Sequence, residues 1–450
     1  MAAVLRRLTG AGFEAALVGG CVRDLLAGGR PVDWDIATSA PPEATAALFP
    51  GSVWENRFGT VTVGEIEITT YRSESGHADH RRPDAVVWGR SLADDLSRRD
   101  FTINAIAWVQ VDLPRRRGRL VDPFSGREDL RARVLRAVGD PRRRFGEDAL
   151  RLLRAVRFAT RFGMIVDPTT EAAIRELAPT AAGLSGERVR DELMRILASP
   201  AAPPSRALLL MEHLGLLSVL LPELAALRGI PQGKALPGDA LDHSLRTADA
   251  LPATEPLLRL TGLLHDVGKA TTLADGHFIG HETVGADLVR GLMRRLRFAH
   301  AEIDHAAHLI AQHMFAYTPD WTDAAVRRFI QRAGAGNLRD LFALRRADNA
   351  ASGAVEPAVG GMAELESRIG RELTQSPLEP RQMAVDGDDL MAALHLPPGP
   401  TVGWLLDELF AAVIDDPARN RRDELLAMAA ELLLGAPEQR PAAAEGRASD

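Results

Sequence analysis

Residues 16–39, ALVGGCVRDLLAGGRPVDWDIATS, constrain the fold of this chain more than any other stretch. A short apolar run, typical of a buried strand, ends in Gly19 and Gly20, and the residues after them predict a helix. Asp33 and Asp35 follow, two residues apart in a second predicted strand, so both carboxylates point to one face of a sheet. Like charges on one face are costly unless something binds there. The pattern therefore predicts a strand–helix–strand unit with a ligand at the glycine turn.

The residue types in this unit suit a nucleotide and Mg²⁺. Phosphoryl transfer uses carboxylate oxygens that leave part of the Mg²⁺ shell for substrate phosphates, and Asp33 and Asp35 offer such oxygens. Gly19 and Gly20 let the backbone approach a phosphate closely, and the helix after them would present free N–H groups. Arg23, one turn into that helix, is placed to clamp a triphosphate. Each motif alone is common, and their order makes the prediction specific.

Length and composition narrow the class of protein. A chain of 450 residues predicts two to four domains. No uncharged apolar run reaches the roughly 18 residues of a membrane span, and the longest candidate, 207–227, predicts a buried helix with a break near Pro222. The first residues carry no signal-peptide pattern, and a single cysteine, Cys21, excludes a disulfide within the chain. We therefore expect a cytoplasmic protein without a membrane segment.

The hydrophobic pattern changes along the chain. The first 140 residues are mixed: residues 1–28 predict helix, strand and helix, and residues 60–72 predict a hairpin. Helical patterns then continue to about residue 435, and the small, polar, proline-containing tail predicts disorder. The expected domains are a head (1–140), a helical neck with nucleotide-selecting and RNA-binding residues (141–230), a third domain (231–355), a helical tail (356–435) and a disordered C-terminus (436–450).

Charge is distributed unevenly. The formal net charge is −7, but residues 115–161 hold 15 arginines against six acidic residues. Such a basic block can contact phosphates in an acidic protein. A GC-rich genome would explain part of this, because the whole chain has lysine only at Lys234 and Lys269. Contact with RNA or nucleotides is the interpretation that charge favours.

Four motifs in series resemble those of the class II tRNA nucleotidyltransferase and bacterial poly(A) polymerase family. They are LVGGCVRDLLAGGRPVDWDIAT, SLADDLSRRDFTINAIAW, LVDPFSGREDL and EDALRLLRAVRFATRFG, and together they cover about residues 14–200 in the family's order. The resemblance implies an α+β fold class. A nucleotidyltransferase head with a small mixed β-sheet would precede an extended all-α neck, body and tail that contain an HD domain.

The resemblance also implies roles in the head. Asp33 and Asp35 would be catalytic and hold two Mg²⁺ ions, which activate the RNA 3′ hydroxyl and neutralise the leaving pyrophosphate. The glycine turn and Arg23 would contact the nucleotide triphosphate. Ribose and phosphates would be positioned by Arg99, Asp100 and Asn104.

A later motif, EDALR, would select the incoming base. The resemblance assigns this role to Asp148 and Arg151, and the chemistry is consistent: a carboxylate accepts from the exocyclic amine of C or A, which U lacks. Their i, i+3 spacing predicts one shared helix face, which Arg154 and Arg157 continue toward phosphates. A salt-bridged helix surface is the alternative interpretation of the same spacing.

Glu67, in the strand EIEITTYR, is a candidate third catalytic carboxylate. A strand beside the aspartate pair would bring Glu67 to a shared metal. A plain exposed strand glutamate is the alternative.

A second cluster of ligand-type residues lies downstream. Imidazoles and carboxylates are common ligands of divalent transition metals. Their order resembles the HD metal-dependent phosphohydrolase superfamily, with Lys269 in HDVGK also matching, and the set would suit Mn²⁺ or Ni²⁺. The site would be metal-binding through His243, His265, Asp266, His281, His313 and Asp348. Some HD domains are mainly structural, so hydrolysis of phosphomonoesters or 2′,3′-cyclic phosphates at RNA ends is a hypothesis.

The leading functional hypothesis is template-independent addition of C and A to the 3′ end of tRNA, with CTP and ATP as substrates. A poly(A) polymerase or an enzyme adding only A or only CC has the same head. CC-only members of the family tend to lack the conserved part of the segment between Glu67 and Arg98. Here the segment is present and long, so the resemblance favours an enzyme able to add A, although the family often has Tyr where His77 stands. An HD hydrolase with a degenerate RNA-docking head and a nonenzymatic RNA-binding protein are alternatives of other classes. The oligomeric state stays open.

Overall fold

The computed structural model describes residues 1–55, 59–75, 85–88, 91–112, 117–353 and 360–435. These residues form two compact units. The first unit comprises Met1–Arg228 with Pro252–Leu260 and Gly291–Ala299, and the second comprises Gly229–Leu251, Thr261–Arg290 and the chain from His300 onward. Within the described residues, no helix is both long and apolar enough to cross a membrane.

A mixed sheet organises the start of the first unit. Its seven strands run in the order β3-β4-β5-β2-β1-β8-β9, and of these neighbours only β2 and β5 are parallel. Two small ribbons, β6–β7 and β10–β11, complete the strands of the described chain. The strands are β1 (Ala15–Val18), β2 (Trp34–Thr38), β3 (Val53–Glu55), β4 (Thr60–Val63), β5 (Ile66–Thr70), β6 (Arg72–Ser75), β7 (Ala85–Trp88), β8 (Ala107–Asp112), β9 (Arg117–Val121), β10 (Val134–Leu135) and β11 (Ile165–Val166).

Helices dominate the chain after residue 140. Short 3₁₀ helices lie at Thr102–Asn104, Ala178–Gly183, Ala335–Asn337, Pro380–Gln382 and Pro417–Arg419. The α-helices are α1 (Ala2–Gly10), α2 (Gly20–Leu26), α3 (Pro42–Leu48), α4 (Leu92–Ser97), α5 (Gly126–Ala132), α6 (Pro141–Glu147), α7 (Leu150–Phe162), α8 (Pro168–Leu177), α9 (Gly186–Leu197), α10 (Pro204–His213), α11 (Leu217–Leu220), α12 (Pro222–Ala225), α13 (Ala240–Asp249), α14 (Pro256–Leu264), α15 (Lys269–Thr272), α16 (His281–Arg295), α17 (His300–Gln312), α18 (Asp323–Ala333), α19 (Leu338–Ser352), α20 (Gly360–Gln375), α21 (Gly387–Leu394), α22 (Pro400–Asp415) and α23 (Arg422–Gly435).

Strand β1 is buried on both faces, which explains its uninterrupted apolar sequence. Leu17 belongs to a core cluster that includes Leu8, on α1, whereas Ala16 and Val18 belong to a second cluster with Leu96, on α4. Alternate residues of one strand therefore contact two separate cores, because successive side chains point to opposite faces. The sheet is held rigidly at the strand that leads into the glycine turn.

The predicted α+β fold class is confirmed, with a mixed sheet first and helices after it. The hairpin over 60–72 is also confirmed as β4 and β5. The expected break near Pro222 in the helical stretch 207–227 is confirmed, because α11 ends at Leu220 and α12 begins at Pro222, but the prediction missed a second break after His213. Three short helices occupy this stretch, because α10 ends at His213 and Gly215 adopts a left-handed φ of +75°. The predicted disordered tail lies outside the described residues.

Candidate active site and candidate metal centre

The glycine turn joins β1 to α2, and its geometry requires glycine. Gly19 has a φ of +74° and stands at the N-cap of α2. A Cβ there would lie 2.5 Å from Nη1 of Arg99 and 3.6 Å from Oδ2 of Asp35. A side chain at this position would displace the guanidinium. Because glycine has no side chain, Arg99 and Asp35 can both lie close to the backbone of this turn.

Three carboxylates lie at the neighbouring strands. Asp33 is exposed immediately before β2, while Asp35 lies within β2 and is half-buried. Glu67, on the parallel strand β5, is the register partner of Asp35, so the two side chains share a face of the sheet. Burial raises the pKa of Asp35; Arg99 opposes the rise, and the negative charges of Glu67 and Asp33 add to it. A bound divalent cation would relieve this repulsion.

A buried chain of hydrogen bonds continues from α2. Arg23, only 5 % exposed, donates to Oδ1 of Asn104 at 2.5 Å, and Nδ2 of Asn104 donates to Oδ1 of Asp100 at 3.0 Å. Nε of Arg154 donates to Oδ2 of Asp100 at 2.8 Å. Burial alone would raise the pKa of Asp100, but Arg154 and Asn104 lower it to about 2. The carboxylate is therefore charged, and it orients Arg154 directly and Arg23 through Asn104.

The prediction that Asp148 and Arg151 share a helix face is wrong. Asp148 is extended, with φ −154° and ψ 106°, and lies between α6 and α7. Its Oδ1 accepts a hydrogen bond from N–H of Leu150 at 3.0 Å, so it caps the start of α7 instead of lying on it. Both side chains nevertheless line the same cavity.

Both of these side chains are held by neighbours. Oδ2 of Asp148 accepts from Nη2 of Arg188 at 2.7 Å. Arg151 donates to the carbonyl oxygens of Arg144 at 2.9 Å and Arg98 at 3.1 Å. Backbone acceptors are difficult to remove by mutation, so the guanidinium plane of Arg151 is fixed mainly by the fold.

Helix α9 supplies two residues that the sequence reasoning missed. Glu192 is 1 % exposed and accepts from Nε of Arg157 at 2.5 Å, and its other oxygen lies 3.8 Å from Nη1 of Arg154. Arg188, one helical turn earlier, holds Asp148. The i, i+4 spacing of Arg188 and Glu192 in GERVRDELMRIL was a usable signal, because it places both on one helix face.

A cavity of about 530 Å³ collects these groups. Its lining includes eight arginines and four aspartates from several elements, which suits a polyanionic ligand next to carboxylates. Glu67 is not among the lining residues. The cavity is lined by the predicted residues Gly19, Gly20, Arg23, Asp33, Asp35, Arg99, Asp100, Asn104, Asp148, Arg151, Arg154 and Arg157, and also by Arg98, Leu150, Phe158, Arg161 and Arg188.

The second unit brings the downstream histidines and aspartates together. All six predicted residues are buried: His243, His265, Asp266, His281, His313 and Asp348. The ligand atoms of His243, His265 and Asp348 lie within 4.8 Å of one another, and so do those of His265, Asp266 and His313. Nε2 of His281 lies 3.4 Å from Oδ1 of Asp266. Two overlapping groups of donors therefore share His265.

The histidines are oriented as metal ligands are. Nδ1 of His265, His281 and His313 each lies within hydrogen-bond distance of a carbonyl oxygen three residues earlier, at 2.8, 2.8 and 2.6 Å. This contact fixes the ring and leaves Nε2 as the inward donor atom. Nε2 of His281 is buried without a hydrogen-bond partner among the described residues. A Cβ on Gly268 would lie 2.1 Å from the carbonyl oxygen of His281, so glycine is required there. These residues fit a divalent transition metal.

The pKa values of these histidines and of Asp266 also suit a metal site. Burial lowers the pKa of His313 to about 3, and His265 adds to the effect. Burial also lowers the pKa of His243. The pKa of Asp266 is well below its usual range, because His265, His281 and Lys269 outweigh the effect of burial. Neutral imidazoles and charged carboxylates are the forms that bind metals.

A basic cavity beside carboxylates, followed by helices that carry a buried histidine–aspartate cluster, is the combination expected of a metal-dependent nucleotide-transferring enzyme with a second metal centre. Comparison with known families agrees. A family described as Poly A polymerase head domain matches residues 15–136, one described as Probable RNA and SrmB- binding site of polymerase A matches 163–227, and HD domain matches 240–352.

Full-length relatives give the family. The A-adding tRNA nucleotidyltransferase of Deinococcus radiodurans is 38% identical over 423 residues, which are 88% of this chain and 91% of that protein. The CCA-adding enzyme of Geobacillus stearothermophilus is 32% identical over 437 residues, 94% of each. The crystal structure of the Bacillus stearothermophilus CCA-adding enzyme in complex with CTP has a TM-score of 0.69 and 30% identity, covering 96% of each chain. The chain belongs to the tRNA nucleotidyltransferase family with a poly(A) polymerase head domain.

The predicted family and enzyme class are thus confirmed. The domain boundaries, the role of each site residue, the metals and the cytoplasmic location stay predictions. The segment between Glu67 and Arg98 was expected to distinguish A addition, and its residues 76–84 and 89–90, with His77 among them, lie outside the described residues.

Proposed function

We propose that this enzyme adds C and A to the 3′ end of tRNA without a nucleic-acid template, using CTP and ATP. The observation that carries the proposal is the cavity in which a fixed carboxylate and a fixed guanidinium, Asp148 and Arg151, lie beside the arginines around Asp33 and Asp35. The CCA-adding relatives over the full chain support the same reaction.

The carboxylates would hold Mg²⁺ and the arginines the triphosphate. Asp33 and Asp35, with Glu67 as a third ligand, would bind Mg²⁺, which supplies activation of the RNA 3′ hydroxyl and neutralises charge on the leaving pyrophosphate. Arg23 and Arg99 lie beside the glycine turn and would orient the phosphates. These cations are themselves held by buried acceptors, so they are oriented before the nucleotide arrives.

Selection of the base would depend on two rigid groups. Asp148 would accept a hydrogen bond from the exocyclic amine of C or A, and Arg151 would donate to the ring acceptors. UTP presents no exocyclic amine, so its carbonyl oxygen would face the Asp148 carboxylate, and two acceptors would repel each other where C and A supply a donor. Arg188 and the carbonyl oxygens around Arg151 keep this pair in one orientation.

Addition of A alone is a second candidate. The relative with 38% identity over nearly the full chain is an A-adding tRNA nucleotidyltransferase, whereas the full-length CCA-adding relatives above are 32% identical. A poly(A) polymerase has the same type of head domain. All three reactions use the same carboxylates and triphosphate contacts, so the products distinguish them.

One assay separates the candidates. The pure enzyme is given tRNA that ends at the discriminator base, or at CC, with CTP, ATP or both, and the products are sized. Full CCA addition predicts two residues with CTP and a third only when ATP is present. Extension of only the tRNA that ends in CC would identify an A-adding enzyme and contradict CCA addition. Long A tails on unrelated RNA would identify a poly(A) polymerase.

For the second unit we propose a metal-dependent phosphohydrolase that acts on phosphomonoesters or 2′,3′-cyclic phosphates at RNA ends. A cavity of about 450 Å³ opens onto the histidine–aspartate cluster, and Lys234, Lys269 and Arg345 line it. Cations beside a metal centre suit a phosphate ester. Protein supplied with Mn²⁺ or Ni²⁺ should release phosphate or open the cyclic phosphate. Hydrolysis of neither substrate class would refute the proposal.

A further inference from the structure

The side chain of Lys234 lies inside the candidate metal centre. Its Nζ is 2.7 Å from Nε2 of His243, 3.3 Å from Oδ1 of Asp348 and 4.0 Å from Oδ2 of Asp266. These are the inward atoms of the centre, and His243 and Asp348 belong to the donor group that also contains His265. The ammonium thus occupies the space where that group would hold an ion.

The donor atoms of this group lie so close together that a proton or a cation must lie between them. Nε2 of His243 lies 3.3 Å from Nε2 of His265 and 3.0 Å from Oδ1 of Asp348. Lone pairs at these distances repel one another unless a proton or cation lies between them. An ammonium is compact and carries three donors, whereas a planar guanidinium is much larger. Nearly every basic residue of this chain other than histidine is arginine, and Lys234 is the exception whose side chain fits this space.

The Lys234 side chain projects from a loop that is closed at its base. Pro231 bridges to Asp239, and N–H of Ala240 donates to the carbonyl oxygen of Ile230 at 2.9 Å. The residues on either side of Lys234, Gly233 and Ala235, are exposed, and the lysine side chain itself is 23% exposed toward the cavity. The side chain therefore has room to leave the donors without opening the base of the loop.

We propose that Lys234 is an internal cation of the metal-free centre, and that a divalent ion binds at His243, His265 and Asp348 only when the Lys234 ammonium leaves them. The lysine stabilises the empty centre and competes with the metal. The apparent metal affinity is reduced by the fraction of molecules in which the ammonium occupies the site. The inference uses the metal centre of the proposed phosphohydrolase and depends neither on hydrolysis nor on nucleotide addition.

Titration of Mn²⁺ into the chelator-stripped full chain tests the proposal. Lys234→Met removes the competing charge, so Mn²⁺ should bind at least about tenfold more tightly than to the unchanged protein. Metal-free K234M should also melt at a lower temperature and regain the loss when Mn²⁺ is added. Equal or weaker Mn²⁺ binding by K234M would overturn the proposal.

A second pair of variants tests whether Lys234 competes with the metal at this donor group. His243→Gln removes one donor of the proposed site, so adding K234M to it should produce no gain in Mn²⁺ affinity. A gain that persists in the double variant would place the competition elsewhere and overturn the proposal. Circular dichroism and a cooperative melting transition check that each variant is folded. Lys234→Gln, which keeps hydrogen-bond donors but no charge, replaces K234M if the latter does not fold, and the same tightening is expected.

Discussion

At the scale of single residues, burial and the charge of Arg99 act on the pKa of Asp35 in opposite directions. Its register partner Glu67 lies on a parallel strand, and its own pKa is raised by burial. The Glu67 side chain is exposed and does not line the cavity. A metal held between the strands would need both carboxylates charged. Removing the Glu67 carboxylate should therefore change the affinity for the metal more than the stability of the fold.

Glu67→Gln and Glu65→Gln form a matched pair for this question. Both glutamates are exposed, and only Glu67 is in register with Asp35. We expect E67Q to raise the Mg²⁺ concentration needed for half-maximal nucleotide addition by about tenfold or more. E65Q should stay within about twofold of the unchanged enzyme. Equal Mg²⁺ dependence of the two variants would show that Glu67 is a plain strand residue.

Asp100 predicts a pH dependence of stability. Its pKa in the folded protein is lowered to about 2, so its ion pair stabilises the fold above the ordinary pKa of a free aspartate and loses this effect as pH falls toward 2. We expect the free-energy difference between the unchanged protein and Asp100→Asn to shrink by roughly 1 kcal/mol from pH 5 to pH 3.

Urea unfolding at the two pH values measures that difference. Asp191→Asn, at an exposed position of α9, is the control and should show no such change. A pH-independent gap between D100N and the unchanged protein would mean that the Asp100 carboxylate does not titrate as described.

At the scale of elements, α9 orients the cationic face of α7. Buried Glu192 lies beside Arg154 and Arg157, and Arg188 reaches Asp148 at the start of α7. Removing one partner of a buried ion pair leaves an uncompensated charge. The element that positions these cavity-lining arginines is thus a helix that contributes only one side chain, Arg188, to the cavity lining.

Glu192→Gln should destabilise the protein by about 3 kcal/mol and weaken nucleotide binding, because Arg157 loses its buried counter-ion. Glu187→Gln on the same helix is the control: Glu187 is 52% exposed and lies 3.9 Å from Arg297. Its change should stay within about 0.5 kcal/mol. Urea unfolding and the KM for CTP and ATP are the measurements. Similar values for the two variants would contradict the role of α9.

Local sequence patterns were sufficient to predict part of the arginine-lined site of the first unit. The order of strand, glycine turn, helix and paired aspartates predicted Gly19, Asp33 and Asp35, because each depends on near neighbours in the chain. The helix face assigned to Asp148 failed, because spacing does not reveal that its carboxylate caps the N–H of Leu150. The role of Glu192 was missed because its contact with Arg157 spans 35 positions of sequence.

At the scale of the whole molecule, two candidate sites with different kinds of side chains lie in separate compact units. One is an arginine-lined cavity of the first unit, and the other is a buried histidine–aspartate cluster of the second. Each takes all its described side chains from its own unit. The two activities proposed for this chain therefore require no shared residue.

Reciprocal variants test that separation. Asp33→Ala should abolish nucleotide addition and leave Mn²⁺ uptake by the second unit unchanged. His265→Ala, which removes the donor shared by both groups of the metal centre, should abolish tight Mn²⁺ uptake and leave nucleotide addition within about twofold. The tRNA extension assay and metal titration on both proteins are the readouts. Loss of both properties in either variant would contradict two separate centres.

The placement of Lys234 and Lys269 has a practical consequence for covalent chemistry. They are the only lysines in the 450-residue sequence, and both lie in the cavity of the histidine–aspartate cluster. An acylating reagent selective for primary amines therefore has two side-chain targets, both at one centre. Lys269 is buried and donates to Asp266 at 2.6 Å, whereas Lys234 is partly open. Apart from the α-amino group, a reactive ester or a fluorescent amine probe would thus find its side-chain targets only at this centre.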